Sequence, residues 1–164
     1  MDIINNASRQ GLFFGLNSGV ITTTGLICGL VQTNISMSLL IISVVSLAIS
    51  DGISEAYSIY LSKKAEMIND TTNAPIYSFI TLLVSKIVVV VSFLIPLLFS
   101  KNLSYFKNMR WVLIWAIFLT VIFDYKLSTM RNENIINYLV PHIGVIVIVI
   151  LLTHFFGKLI HKYA

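Results

Sequence analysis

The sequence predicts an all-α integral membrane protein with five transmembrane helices, and two observations carry that prediction. Of 164 residues, 57% are hydrophobic and only 11% charged, with a mean hydropathy of +0.88; soluble globular domains lie far from these values. Five apolar runs divide the chain, at about residues 11–31, 37–60, 76–100, 110–125 and 138–160. Each approaches the roughly 20 residues a helix needs to cross the hydrocarbon core, the fourth only if it reaches Tyr125 or borrows from Phe106. Nothing is left for a second domain, so residues 1–164 read as one multi-pass unit in the lipid bilayer. An odd number of spans places the termini on opposite faces. Residues 1–10 are polar and lack a basic n-region followed by a small-residue cleavage site, so the first span is expected to be retained.

The first helix carries Gly11, Gly15 and Gly19, then Gly25 and Gly29. Small residues four apart let helix backbones approach closely in lipid, which makes this helix the centre of packing or a homodimer seam. Asn17, Ser18 and Thr22 to Thr24 supply neutral oxygens at membrane depth. The threonine hydroxyls are expected to bond to carbonyls one turn back. Cys28 is the single cysteine, which excludes an intramolecular disulfide and a cysteine metal cluster; it reads as a small apolar filler.

The second helix follows after the short link Gln32-Thr33-Asn34-Ile35-Ser36, so the first two form an antiparallel hairpin. Its centre, Ala48-Ile49-Ser50-Asp51-Gly52-Ile53-Ser54-Glu55-Ala56-Tyr57-Ser58, holds two carboxylates one turn apart, with Ser58 and Ser62 continuing their stripe. Ionisable groups inside a transmembrane helix are costly, face the protein interior or a wet cavity, and mark ion or proton sites. Asn17 and Ser18 lie at similar depth and are candidates to face them. Beyond this helix, Glu66 and Asp70 are again four apart and form a weak peripheral metal candidate, although a solvated face is the simpler reading.

The third helix carries Lys86 near its middle, too deep to reach the headgroups. Counted inward from the shared side at about 1.5 Å per residue, Asp51 and Lys86 match in depth, so they are expected to pair. Pairing lets both stay charged, and leaves Glu55 free to titrate or hold a cation. Pro96 marks a kink or the end of this helix. The fourth helix shows interfacial aromatic anchors in Trp111, Trp115 and Tyr125 and no chemistry of its own. The stretch from Asp124 to Asn137 mixes both signs and reads as a solvated loop. The fifth helix has Pro141 and His142 near its start and His154 and His161 near its end, too far apart for one shared site.

Two segments, taken together, resemble the vacuolar iron transporter family, which includes nodulin-like iron and manganese carriers. Gly15-Leu16-Asn17-Ser18-Gly19-Val20-Ile21-Thr22-Thr23-Thr24-Gly25-Leu26 is similar to that family's first-helix motif, Gly-Ala-Asn-Asp-Gly followed by small and hydroxyl residues and Gly-Leu. Ala48 to Tyr57 is similar to its second-helix Ala-Leu-Ser-Met-Ala-x-Gly-Glu-Tyr, and Leu94-Ile95-Pro96-Leu97-Leu98-Phe99 to the Ile-Pro-Leu-Leu-Pro stretch ending its third helix. The resemblance implies a homodimer with a pathway between subunits, exchanging divalent iron or manganese for protons out of the cytosol. It also places Glu55 on the family's second-helix glutamate. Three positions depart from the pattern: Ser18 stands for an aspartate, Asp51 for a methionine, and a short loop after Ser62 for a Glu-rich metal-binding domain. Replacing the methionine sulfur by Asp51 shifts preference towards harder cations such as manganese or magnesium.

The formal charge of +4 and pI near 9.3 do not indicate nucleic acid, because the basic residues sit at span ends as headgroup anchors. Arg9, Lys63, Lys64, Lys126 and Arg131 fall on one side and Lys101, Lys107, Arg110, Lys158 and Lys162 on the other, so the positive-inside rule gives no orientation. No HExxH, P-loop or G-x-S-x-G pattern occurs, and no nucleophile-and-base set suggests an enzyme. The leading expectation is a divalent-cation transporter coupled to protons. Glu55 and Asp51 form its core site, Asn17 and Ser18 are neutral ligands, iron or manganese is the substrate, and no cofactor is permanently bound. The alternative is a non-transporting membrane protein that keeps the fold for assembly, with Asp51–Lys86 as a structural pair.

Overall fold

The computed structural model describes residues 2–33, 35–66, 72–99 and 105–163. Among them every regular element is helical: α1 (Asp2–Val31), α2 (Met37–Glu66), α3 (Ala74–Ser92), α4 (Leu94–Phe99), α5 (Tyr105–Arg131) and α6 (Ile136–Tyr163). Five segments are long and apolar enough to cross a membrane, Ile3–Val31, Met37–Glu66, Ala74–Leu98, Met109–Arg131 and Ile136–Ile160. The third of these contains α3 and all but the last residue of α4.

The helix ends follow local chemistry. Ser36 caps α2, its hydroxyl accepting the Leu39 N–H at 3.3 Å. Phe93 separates α3 from α4; three residues on, Pro96 has no N–H to offer the Ser92 carbonyl, so the regular ladder is interrupted here. α5 closes in a Schellman arrangement, with Glu133 N–H on the Ser128 carbonyl at 3.0 Å and Asn132 N–H on that of Thr129 at 3.4 Å. Asn132 adopts the left-handed conformation this requires, φ 54°. The Asn134 carboxamide then accepts the Ile136 N–H at 3.0 Å and starts α6.

The real helices overrun the apolar runs. α2 continues through Lys63, Lys64 and Glu66, and α5 through Asp124 and Lys126 to Arg131. Polar residues do not end a helix when its backbone bonds can continue beyond the hydrocarbon layer. Asp124 is therefore not in a solvated loop; it is a helical residue, 1% exposed.

α1 is the centre of the bundle, in contact with α2, α3, α5 and α6. Its glycines face α3 and α6 within the same chain. A β-carbon on Gly11 would stand 2.3 Å from the Ser78 carbonyl oxygen, and one on Gly25 2.6 Å from Val149 Cγ1. The stripe thus packs against α3 and α6 of the same chain. Val20, Ile27, Val44, Val90, Phe93 and Val112 form the core, while Val88, Leu151, Phe155 and similar residues point outward, as lipid solvent requires. Trp115, expected as an interfacial anchor, instead packs against the core and donates from Nε1 to Ser92 Oγ at 3.1 Å.

Candidate ion and proton site

Gly15 and Gly19 place the site. A β-carbon on Gly15 would lie 2.5 Å from the Leu82 carbonyl oxygen and 2.2 Å from Ser85 Oγ, so only glycine lets α1 approach α3 this closely. Ser18, on the same turn, is thereby brought to Lys86.

Lys86 has no exposed surface. Its Nζ lies 2.5 Å from Asp51 Oδ2, 2.6 Å from Glu55 Oε2 and 2.9 Å from Ser18 Oγ. Ser18 Oγ in turn is 2.8 and 2.7 Å from the two Glu55 oxygens, so the hydroxyl accepts from the ammonium and donates to the carboxylate. Glu55 is not left free: the two acids project from one face of α2, and a single ammonium with three donors reaches both. The carboxylate side chains keep 28% and 24% exposure, so the cluster is closed on the lysine side and open on the acid side. Two carboxylates and one ammonium leave one excess negative charge near the middle of the spans.

Asn17 does not join this cluster. Consecutive helical residues point about 100° apart, so Ser18 faces α2 and α3 while Asn17 turns to α5 and α6. There it lines a cavity of about 320 Å³ with Ile21, Asp124, Tyr138, Pro141 and His142. His142 Nδ1 lies 3.2 Å from both Asp124 oxygens, and His142 is 8% exposed. Asn17 Oδ1, His142 Nε2, Thr23 Oγ1, Thr24 Oγ1 and Thr120 Oγ1 are buried without a hydrogen-bond partner. Of the three α1 threonines, Thr22 bonds one turn back, to the Ser18 carbonyl at 2.9 Å; Thr23 and Thr24 do not.

A larger groove of about 760 Å³ runs along α1 and the end of α5, from Asn6, Arg9, Gln10 and Arg131 down to Asn17, Ser18 and Thr22. Ser18, at one end of the charged cluster, thus shares a groove with Arg9 and Arg131. Arg131 at its mouth is paired with Glu133 at 2.8 Å. Arg9 adds a second positive charge there.

Asp51, Glu55 and Ser18 can hold a small cation through carboxylate and hydroxyl oxygens, the donor set of hard divalent ions. Among the described residues no three His, Cys, Asp or Glu side chains converge, so such an ion would complete its shell with water. Glu66 of the peripheral pair is engaged by Lys63 at 2.7 Å, and Asp70 lies outside the described residues. The Asp124–His142 pair does not show in the linear pattern, because Asp124 reads there as the start of a solvated loop. Its signal is Thr120, Asp124 and Ser128 at four-residue spacing, all buried on one face of α5. No family model, no curated protein and no solved structure matches the chain.

Proposed function

We propose that the chain is a small proton-coupled transporter of divalent metal ions, with Asp51 and Glu55 carrying the exchangeable charge and Ser18 as a neutral ligand. The observation that supports it is the charge count: two carboxylates on one ammonium, deep in the bilayer, retain one negative charge that needs a further cation. In the resting state that cation is a proton, and the cluster is neutral with Lys86 charged. A divalent ion bound by both carboxylates is neutral with Lys86 uncharged. The exchange then releases two protons per metal ion, one from the carboxyl pair and one from Lys86, and moves no net charge. Lys86 acts as a tethered competitor for the metal. The resemblance of Gly15 to Leu26 and Ala48 to Tyr57 to vacuolar iron transporter motifs supports iron or manganese as substrate.

A second reading, a non-transporting membrane protein, draws on the fact that Asp51, Glu55 and Ser18 give all three Lys86 hydrogens an acceptor, as a structural lock would. Uptake of manganese or iron(II) into proteoliposomes holding a pH-sensitive dye separates the two. The transporter moves two protons outward per ion entering, and Glu55→Gln abolishes both fluxes. Absence of metal and proton flux in the wild type at every pH overturns it in favour of the lock.

A further inference from the structure

We propose that the groove between α1 and the end of α5 binds one anionic phospholipid, with Arg9 and Arg131 holding its phosphate and an acyl chain laid along Phe13, Phe14 and Leu127. All five residues line this space of about 760 Å³. Two rows of α1 face it, Arg9-Phe13-Asn17-Ile21 and Gln10-Phe14-Ser18-Thr22, because residues four apart share a helix face. Each row starts polar, where the first apolar run begins, and reaches an aromatic ring one turn further in. On the other wall Leu127 is followed one turn later by Arg131, the last residue of its span. Successive spans alternate in direction, so Arg9 and Arg131 meet at one end of the bundle. Both walls therefore run from charge to hydrocarbon, the order of head and chain in a phospholipid.

The charges select the head. Arg9 is exposed and makes no ion pair among the described residues. Arg131 meets Glu133 through Nε at 2.8 Å, which leaves its terminal nitrogens with donors to spare. Counting Glu133, the mouth keeps one net positive charge, which attracts an anion and repels metal cations. Guanidinium groups bind phosphate oxygens through paired N–H donors, and basic pockets between transmembrane helices take anionic lipid heads. Polar groups deeper in the groove are already engaged or covered. The Thr22 hydroxyl is bonded to the Ser18 carbonyl at 2.9 Å, the Ser18 hydroxyl serves Glu55 and Lys86, and Asn17 Oδ1 is buried. Phe14, by contrast, is half-exposed, and an acyl chain covers it without asking for a hydrogen bond.

The site stands whether or not the chain carries metal. It is tested on the full chain in detergent micelles, titrated with dioleoyl phosphatidylglycerol or with dioleoyl phosphatidylcholine, whose head has no net charge, and followed by native mass spectrometry. One phosphatidylglycerol is expected to bind about tenfold more tightly than phosphatidylcholine. Combined Arg9→Gln and Arg131→Gln removes that preference. Arg110→Gln, an exposed arginine at the opposite end of the same span, leaves it intact. Inorganic phosphate, which has the charge without the chains, does not displace the lipid at equal concentration. Equal binding of the two lipids, a preference that survives the double change, or one that Arg110→Gln also removes overturns the proposal. Displacement by equimolar phosphate overturns the lipid as occupant. Should the double variant not fold, Arg9→Gln alone breaks no ion pair and lowers the preference; a preference it leaves intact overturns the site.

Discussion

Glu55 Oε2 lies 2.6 Å from Lys86 Nζ, a contact that ties α2 to α3 at the depth where water is scarcest. The same ammonium holds Asp51, so neither acid can be understood without the lysine. Lys86→Met leaves two acids without their cation and is expected to lower stability by about 3–5 kcal/mol. The triple change Lys86→Met, Asp51→Asn and Glu55→Gln recovers most of it, because no charge is then stranded. Equilibrium unfolding in detergent micelles measures both; a triple variant as unstable as the single one would sink the pairing.

Ser18 offers the sharpest test of the proposed metal site. Ser18→Asp places a third carboxylate where the hydroxyl now contacts Glu55 and Lys86. Manganese binding, followed by electron spin resonance of the free ion, should tighten at least tenfold, about 1.4 kcal/mol. Unchanged affinity would mean that the ion does not visit this cluster.

The α1–α3 seam should be intolerant of a single methyl group. Gly15→Ala forces a β-carbon against the Leu82 carbonyl and is expected to cost about 1–3 kcal/mol. Gly144, whose β-carbon would meet nothing within 4 Å, is the control: Gly144→Ala should change stability by no more than about 0.5 kcal/mol. Equal effects at the two positions would remove the seam from the account.

At the α5–α6 turn, the Tyr138 hydroxyl and then the Arg131 guanidinium hold the Glu133 carboxyl below the usual glutamate range. A carboxyl whose value is depressed by folding adds stability that is complete above its unfolded value, about 4.3. That stability is lost as pH falls through the lower folded value. Amide exchange at Glu133 and Asn137, corrected for intrinsic rates, should therefore accelerate below about pH 4. Glu133→Gln should remove that pH dependence, and a variant that keeps it would point to another group.

The membrane-spanning architecture was legible because composition and apolar run length are cumulative signals that no single residue can spoil. Lys86 and Asp51 were legible as a pair because depth in a helix is a linear function of residue count. The approach of Glu55 to the same ammonium was not, since depth says nothing about how far a flexible lysine side chain can reach sideways. Asn17 was misplaced for a related reason: it shares its depth with Ser18, but rotation about the helix axis separates them. Asp124 is hidden because it opens a stretch of mixed charge, Asp124 to Asn137, that reads as a solvated loop. A buried acid facing inward on an apolar helix looks in one dimension like the start of a loop.

The tight seam between α1 and α3 also bears on how the chain is made. Lys86 is synthesised 35 residues after Asp51, so the first hairpin meets the translocation machinery with two acids and no counter-charge. Each acid costs roughly 3 kcal/mol at the centre of a bilayer on the biological insertion scale. The hairpin carries that cost until the emergence of the third span supplies both the missing cation and the surface for Gly11, Gly15 and Gly19. The first three helices are therefore expected to reach their final packing together, once Lys86 has emerged.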